Sequence, residues 1–277
     1  MNITSADIAK LRKITGAGMM DCKEALNAAN GDFNEAIDYL RKKGQKISAK
    51  RADKEASEGI IITKTSKNHT YGIVIELNCE TDFVAKNEAF IAFGNQIAEK
   101  VLEAKPETIE DLLSLPINGL KVSELLEEQM GKIGEKIQIS SYKSIAGTLV
   151  VPYTHLGNKI GVLVSLSESG DDTIYLIGKD VAMQIAAMNP IAVDENRIPK
   201  EVIAHEMEIA KEQVKTEGKP DHIAEKIALG KVNKFIKEST LLSQDFVKDS
   251  SKTVFEVLNN VKKGLTVNEF TRISIGN

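Results

Sequence analysis

The chain has 277 residues, 42% hydrophobic and 27% charged, with a formal net charge of −4 and no tryptophan. That length exceeds what one hydrophobic core usually serves, so two or three domains are expected, and the composition lies far from that of disordered chains. The acidic balance and the 5% aromatic content argue against a broad phosphate-binding surface and against base or sugar stacking, so no direct nucleic-acid partner is expected.

No stretch approaches the ~18 apolar residues of a membrane span. Residues 1–13 contain an acid and lack the apolar core of an export signal, so a cytoplasmic protein without membrane association is expected. Cys22 and Cys79, the two cysteines, are too few for a disulfide framework or a zinc cluster and suit small buried residues in a reducing compartment.

Residues 1–45 read as a compact module of three short helices. Thr4 or Ser5 caps the first, which carries Ile8, Leu11 and Ile14 at helical spacing. Gly16 and Gly18 interrupt the pattern. Met19, Met20, Ala25 and Leu26 form a second amphipathic stretch that stops at Asn30 and Gly31. Asp32 followed by Glu35 resembles a capping box for a third helix, with Phe33, Ile37 and Leu40 inward and an end at Gly44.

Seven basic residues follow between Arg41 and Lys54, against the single acid Asp53. They read either as a solvated helical linker, with residues 46–57 joining two domains, or as a contact for an acidic partner surface. Beyond them lies an internal repeat. Gly59-Ile-Ile-Ile, Gly72-Ile-Val-Ile and Gln96-Ile-Ala are matched in order and spacing by Gly147-Thr-Leu-Val, Gly161-Val-Leu-Val and Gln184-Ile-Ala. Each copy predicts a β-hairpin followed by an amphipathic helix, with Phe90, Ile97 and Val101 on one helix face in the first copy and Val181, Ile185 and Met188 in the second. The fold class is therefore α+β: two related subdomains with antiparallel sheets, at 58–140 and 141–277.

Between the copies, Ile109–Leu115 and Val122–Ile133 predict helices joined by a turn at Pro116–Gly119, covering the first sheet. At about 199–239 the steps of Ile203, Met207, Ala210 and Val214 predict an antiparallel coiled-coil hairpin, turning at Gly218-Lys219-Pro220 and resuming at Ile223 and Ile227. Leu265–Ile275 predicts a last strand on the second sheet.

Signatures of small-molecule chemistry are missing. There is no phosphate-binding glycine loop, no nucleophile elbow and no His-Glu-x-x-His pair, and the four histidines lack ligand spacing. No metal site and no cofactor are expected. Cys79 has Glu80 and Asp82 beside it, acids that would raise rather than lower its pKa, so a small buried residue at a strand end describes it better than a nucleophile.

The repeat breaks at Asn78-Cys-Glu-Thr-Asp-Phe-Val-Ala-Lys-Asn87, where the second copy has the polar turn Ser165-Leu-Ser-Glu-Ser-Gly-Asp-Asp172. Two readings stand. In one, Thr81, Asp82 or Asn87 caps the next helix and Phe83 staples against it. In the other, Phe83 and Val84 form a protruding apolar wedge between the acid Asp82 and the base Lys86, made to enter a partner.

Gly16-Ala-Gly-Met-Met-Asp-Cys-Lys23 and Thr81-Asp-Phe-Val-Ala-Lys-Asn87 together resemble elongation factor Ts, and the likeness covers essentially the whole chain. The resemblance implies a ubiquitin-associated-like N-terminal domain at 1–45 and a guanine-nucleotide exchange factor, not an enzyme. Such a factor binds elongation factor Tu with GDP, displaces magnesium and GDP, and holds the nucleotide-free GTPase until GTP enters. Thr81, Asp82, Phe83 and Val84 would dislocate the partner's magnesium, with Phe83 as the wedge and Lys86 and Asn87 beside it. Met19 and Met20 would dock on the GTPase domain or serve as core. The second subdomain would reach another domain of the partner, and the helical hairpin would serve self-association or partner binding. Some family members continue into a C-terminal helical module past the last strand. This sequence stops at Asn277, so that module's contacts do not carry over.

Overall fold

The computed structural model describes residues 3–216 and 221–276. Three helices come first: α1 (Ser5–Thr15), α2 (Met19–Ala28) and α3 (Phe33–Lys50). Thr4 caps α1 in a reciprocal box with Asp7, and Asp32 caps α3 by accepting from the amides of Asn34 and Glu35. Leu11, Cys22, Ala25, Leu26 and Ala36 make a small core with no solvent exposure. Met19 and Met20 are not part of it. They occupy the first turn of α2, after Gly18 as N-cap, and stand 59% and 74% exposed. Ile14, expected inward, is also exposed.

The third helix does not end at Gly44. It continues to Lys50, with Arg51 as its C-cap. The glycine is there for close packing, since a Cβ on Gly44 would stand 2.8 Å from the carbonyl oxygen of Glu127 in a helix packed across it.

The next segment contains β1 (Glu58–Thr65), β2 (Tyr71–Cys79), α4 (Asp82–Ala85), α5 (Glu88–Ala104), α6 (Ile109–Ser114), β3 (Pro116–Ile117), β4 (Leu120–Lys121), α7 (Val122–Ile133) and β5 (Gln138–Ala146). The expected turn at 116–119 is a small hairpin, because Asn118 and Gly119 both take positive φ, the backbone that a two-residue β-turn requires. After it come β6 (Leu149–Thr154), β7 (Ile160–Leu166), α8 (Asp172–Met188), α9 (Lys200–Thr216), α10 (Asp221–Ser239), β8 (Asp245–Phe246), β9 (Asp249–Thr253), α11 (Val254–Val261) and β10 (Val267–Ser274).

Two antiparallel three-stranded sheets, ordered β1-β2-β5 and β10-β7-β6, repeat one plan: a hairpin, a helix, and a late strand that returns beside the hairpin's second strand. The strand β5 crosses residue 140, where the sequence pattern placed the subdomain boundary, because Tyr142 and Ile145 still pair with Ile75 and Gly72 of β2.

The middle strand β2 is buried on both faces. Ile73, Ile75 and Leu77 pack with Phe90, Ile97, Val101, Leu112 and Leu126 of the covering helices. Val74 faces the other way, into a cluster with Ile61, Ile145, Val150, Leu163 and Ile273 drawn from both sheets. The two sheets thus lie face to face with helices outside. This double burial is why Gly72–Leu77 reads as a nearly continuous apolar run rather than an alternating one. The sheets approach closely at matched glycines of the two copies. A Cβ on Gly72 would sit 2.7 Å from Val150 Cγ1, and one on Gly161 would run into Ile61.

In the second copy α8 buries Val181, Ala182 and Ile185 against β6 and β7. Met188, expected on that face, is 49% exposed at the helix end. The helical hairpin packs through Ala210, Ala228 and Val232, with Ile203, Met207 and Ile236 partly buried. Its turn at Gly218-Lys219-Pro220 lies outside the described residues. Gln184 of α8 fastens the hairpin's base. Its Nε2 donates to Gln244 Oε1 (3.1 Å) and to the Asp245 carbonyl (3.2 Å), and its Oε1 accepts from the Val247 amide (2.8 Å).

Candidate partner-binding site

The strand β2 delivers Cys79 to a turn in which Glu80 leads into Thr81, the N-cap of α4. The Thr81 side chain accepts from the Val84 amide at 3.4 Å, and Asn87 then caps α5 through the Ala89 amide at 2.8 Å. The four-residue α4 thus stands between two caps. Ala85 is buried and Val84 packs against the first core, so these two side chains anchor the turn. Phe83 points away from that core, 83% exposed, the most exposed of the large hydrophobic side chains described.

The local reading of this segment holds in part. The capping residues act as expected, but Phe83 staples nothing. Asp82 and Lys86 flank it and pair with each other at 2.6 Å, one helical turn apart. The hydrogen bond from Lys86 holds the Asp82 carboxyl below its ordinary range, and the same bond raises the Lys86 ammonium. Of the four residues read as the intruding segment, Phe83 alone is exposed; Asp82 is half-buried and paired with Lys86, and Thr81 and Val84 are partly buried supports.

Sequence reasoning missed the base of this turn. Glu135, just beyond α7, accepts from the amides of Glu80 and Thr81 at 3.2 and 3.0 Å and from the Thr81 hydroxyl at 2.7 Å. Arg51, one of the run of basic residues, donates to both oxygens of Glu80 at 2.7 and 2.8 Å, and the Lys136 amide donates to the same carboxylate at 2.6 Å. Burial pushes the Glu80 pKa up, but these bonds and the charge of Arg51 outweigh it and hold the group below its ordinary value.

Cys79 is fully buried and lies 3.2 Å from the Thr81 carbonyl, to which its thiol donates. Burial first, and the carboxylate of Glu135 second, push its pKa up to about 11. A thiol so protonated at neutral pH is a poor nucleophile. Among the described residues no group of three His, Cys, Asp or Glu side chains could hold a metal ion, and no helix is long and apolar enough to cross a membrane. Met19 and Met20 add a second exposed apolar pair, on the N-terminal module, which is joined to the core through α3 and α7.

The chain combines a duplicated α+β core, a three-helix N-terminal module and a helical hairpin. A family model described as "Elongation factor TS" matches residues 80–277, which places the chain in the class of translation elongation factors acting in protein biosynthesis. Curated proteins named elongation factor Ts are similar over the whole length. The one from Amoebophilus asiaticus is 49% identical over 276 residues, covering 100% of both chains. Those from Cytophaga hutchinsonii and Chlorobium phaeobacteroides are 48% and 40% identical, each alignment covering 99% of both chains. The chain belongs to the elongation factor Ts family.

Proposed function

We propose that this chain is a guanine-nucleotide exchange factor that binds elongation factor Tu carrying GDP, dislocates its magnesium, releases GDP and stabilises the nucleotide-free GTPase until GTP binds. The observation that carries the reading is Phe83, an 83% exposed aromatic ring mounted on a turn whose backbone is tied down on both sides. A lone exposed ring gains nothing for the free protein and much for a complex in which it is desolvated.

The physics asks for little else. A GTPase holds GDP through its phosphate loop and a magnesium ion with a strict octahedral shell, so a wedge that disturbs that shell removes much of the affinity. By linkage, nucleotide weakens the factor's own binding by the same ratio. Accelerating release ~1000-fold takes about 4 kcal/mol of differential interaction, within the range of one desolvated aromatic and its surroundings. No bond is made or broken, and no cofactor of its own is needed.

In this reading Thr81, Asp82, Phe83 and Val84 form the magnesium-dislocating segment, with Lys86 and Asn87 at its edge. Asp82 exchanges its pairing with Lys86 for a partner group on binding. Met19 and Met20 dock on the GTPase domain, and the second subdomain reaches a further domain of the partner. The helical hairpin at 200–239 is left for a second copy or another partner, and the work is done in the cytoplasm. Release of labelled GDP from purified elongation factor Tu, with and without this protein, tests the proposal. Unchanged release at ~micromolar protein, a concentration at which a complex of ordinary affinity would form, would end it.

A further inference from the structure

A four-residue helix has no stability of its own, so whatever fixes the direction of Phe83 comes from outside α4. Two chain segments remote in sequence converge on Glu80 and Thr81, the two residues just ahead of it. From the exit of α7, Glu135 takes the Thr81 amide and hydroxyl and the Glu80 amide onto one carboxylate. Because the Thr81 hydroxyl spends its hydrogen on Glu135, its oxygen is left as acceptor for the Val84 amide, the bond that starts α4. From the end of α3, Arg51 grips Glu80 with two contacts. Lys136 closes the ring, its amide on Glu80 and its ammonium on the carbonyls of Ala52 (2.7 Å) and Lys54 (2.9 Å).

We infer that Glu135 is a positioning residue for nucleotide exchange, acting through Thr81, and that Arg51 seconds it through Glu80. The inference rests on the exchange reading above. With amide and hydroxyl of Thr81 both held by one carboxylate, the N-cap cannot rotate, and the axis of α4 is fixed. Phe83 is then kept in the open instead of folding back onto the apolar cluster beside Val84 and Ala85. A ring ordered in advance loses little freedom on entering a partner, whereas a ring on a loose turn spends part of its binding energy on being ordered. The same ring of bonds ties the end of α3, and with it the module bearing Met19 and Met20, to the base of the wedge.

The test compares Glu135→Ala, Glu135→Gln, Phe83→Ala and the Glu135→Ala/Phe83→Ala pair. Hydrogen exchange at the amides of residues 81–87 is read on the free protein, and release of fluorescent GDP from elongation factor Tu is read across a concentration series. Glu135→Ala is expected to cut amide protection at Val84 and Ala85 by ~10-fold or more while leaving the sheets protected. Its maximal release rate should fall by ~3- to 10-fold with the half-saturating concentration within ~twofold, the mark of misplacement rather than lost docking. Added to Phe83→Ala it should cost less than ~twofold more, because both changes disable one device. Glu135→Gln keeps an acceptor oxygen and should recover most of the rate.

A wild-type maximal rate in Glu135→Ala, or losses that multiply with those of Phe83→Ala, would overturn the inference. If Glu135→Ala does not fold, Arg51→Met carries the same test. If the wild-type protein leaves GDP release unchanged, the exchange reading falls by itself, and the amide protection still decides whether Glu135 orders the turn.

Discussion

Gly44 of α3 and Gly131 of α7 meet backbone to backbone: a Cβ on Gly131 would stand 2.9 Å from the Gly44 Cα. This crossing, with Arg41 bonded to Glu128 at 3.1 Å beside it, seats the N-terminal module on the core. Two effects oppose each other at Gly131. Alanine inside a helix is favoured over glycine by about 1 kcal/mol. Forcing two helix backbones apart costs about 1–3 kcal/mol. The contact should win, so Gly131→Ala is expected to lower the midpoint of urea unfolding and to speed proteolysis of the connection at 51–57. A raised midpoint would show that the helices are free to separate.

Phe83→Ala should separate folding from function. The ring is 83% exposed, so its removal should shift stability by no more than about 0.5 kcal/mol, as for other surface positions. Its removal should slow GDP release from elongation factor Tu by ~10-fold or more, the loss of one interfacial hot spot. Cys79→Ala serves as the contrast. The buried thiol packs under the turn, bonded to the Thr81 carbonyl and out of reach of another protein, so this variant should lose about 1 kcal/mol of stability and keep most of its exchange activity. A Phe83→Ala protein that unfolded would show that the ring is structural after all.

How much of this was legible beforehand depended on the range of the interaction concerned. The paired glycines, the β-branched runs and the displaced glutamines carried the duplicated sheets, because hairpins and helix faces are written in local spacing. The protruding segment was visible as a break in the repeat, though not its direction. Gly44 misled, since a glycine that stops a helix and a glycine that lets two helices touch look alike until the second helix is placed. Met19 continues the apolar spacing of Cys22 and Ala25 yet lies beyond the core it appeared to join. Glu135 and Arg51 stand 54 and 29 residues from their partners in the turn, and no spacing rule connects charges across separate elements.

Gln184 illustrates how one copy of a duplication is altered to carry an insertion. Its counterpart Gln96 is exposed, while Gln184 is fully buried and both ends of its amide are bonded at the hairpin's base. Replacing it with leucine leaves the Val247 amide and the Asp245 carbonyl without these partners at a part-buried site, which should cost about 1–2 kcal/mol. The loss should appear as faster amide exchange in α10 and in residues 240–247, with α1 to α3 unaffected. Uniform destabilisation of the whole chain would argue against a local fastening role. The corresponding change Gln96→Leu should be close to neutral.

The pairing of Glu80 with Arg51 predicts a response to acid. Glu80 is held below its ordinary pKa in the folded chain, so the folded state binds its proton more weakly than the unfolded state does. The stability it contributes is therefore complete above the unfolded value and is lost as the pH falls through the lower, folded value. At neutral pH Arg51→Met should cost no more than about 1 kcal/mol, because the guanidinium is one-third exposed and its charge is screened. As the solution is acidified below the ordinary glutamate range, wild type and variant should converge, since a protonated Glu80 no longer distinguishes arginine from methionine by charge. Thermal melting of both proteins from neutral pH down into that range measures the difference directly. A gap that stayed constant throughout would mean that Arg51 holds the end of α3 by packing alone, and that the carboxylate at the base of the Phe83 turn draws its stability from the Lys136 amide instead.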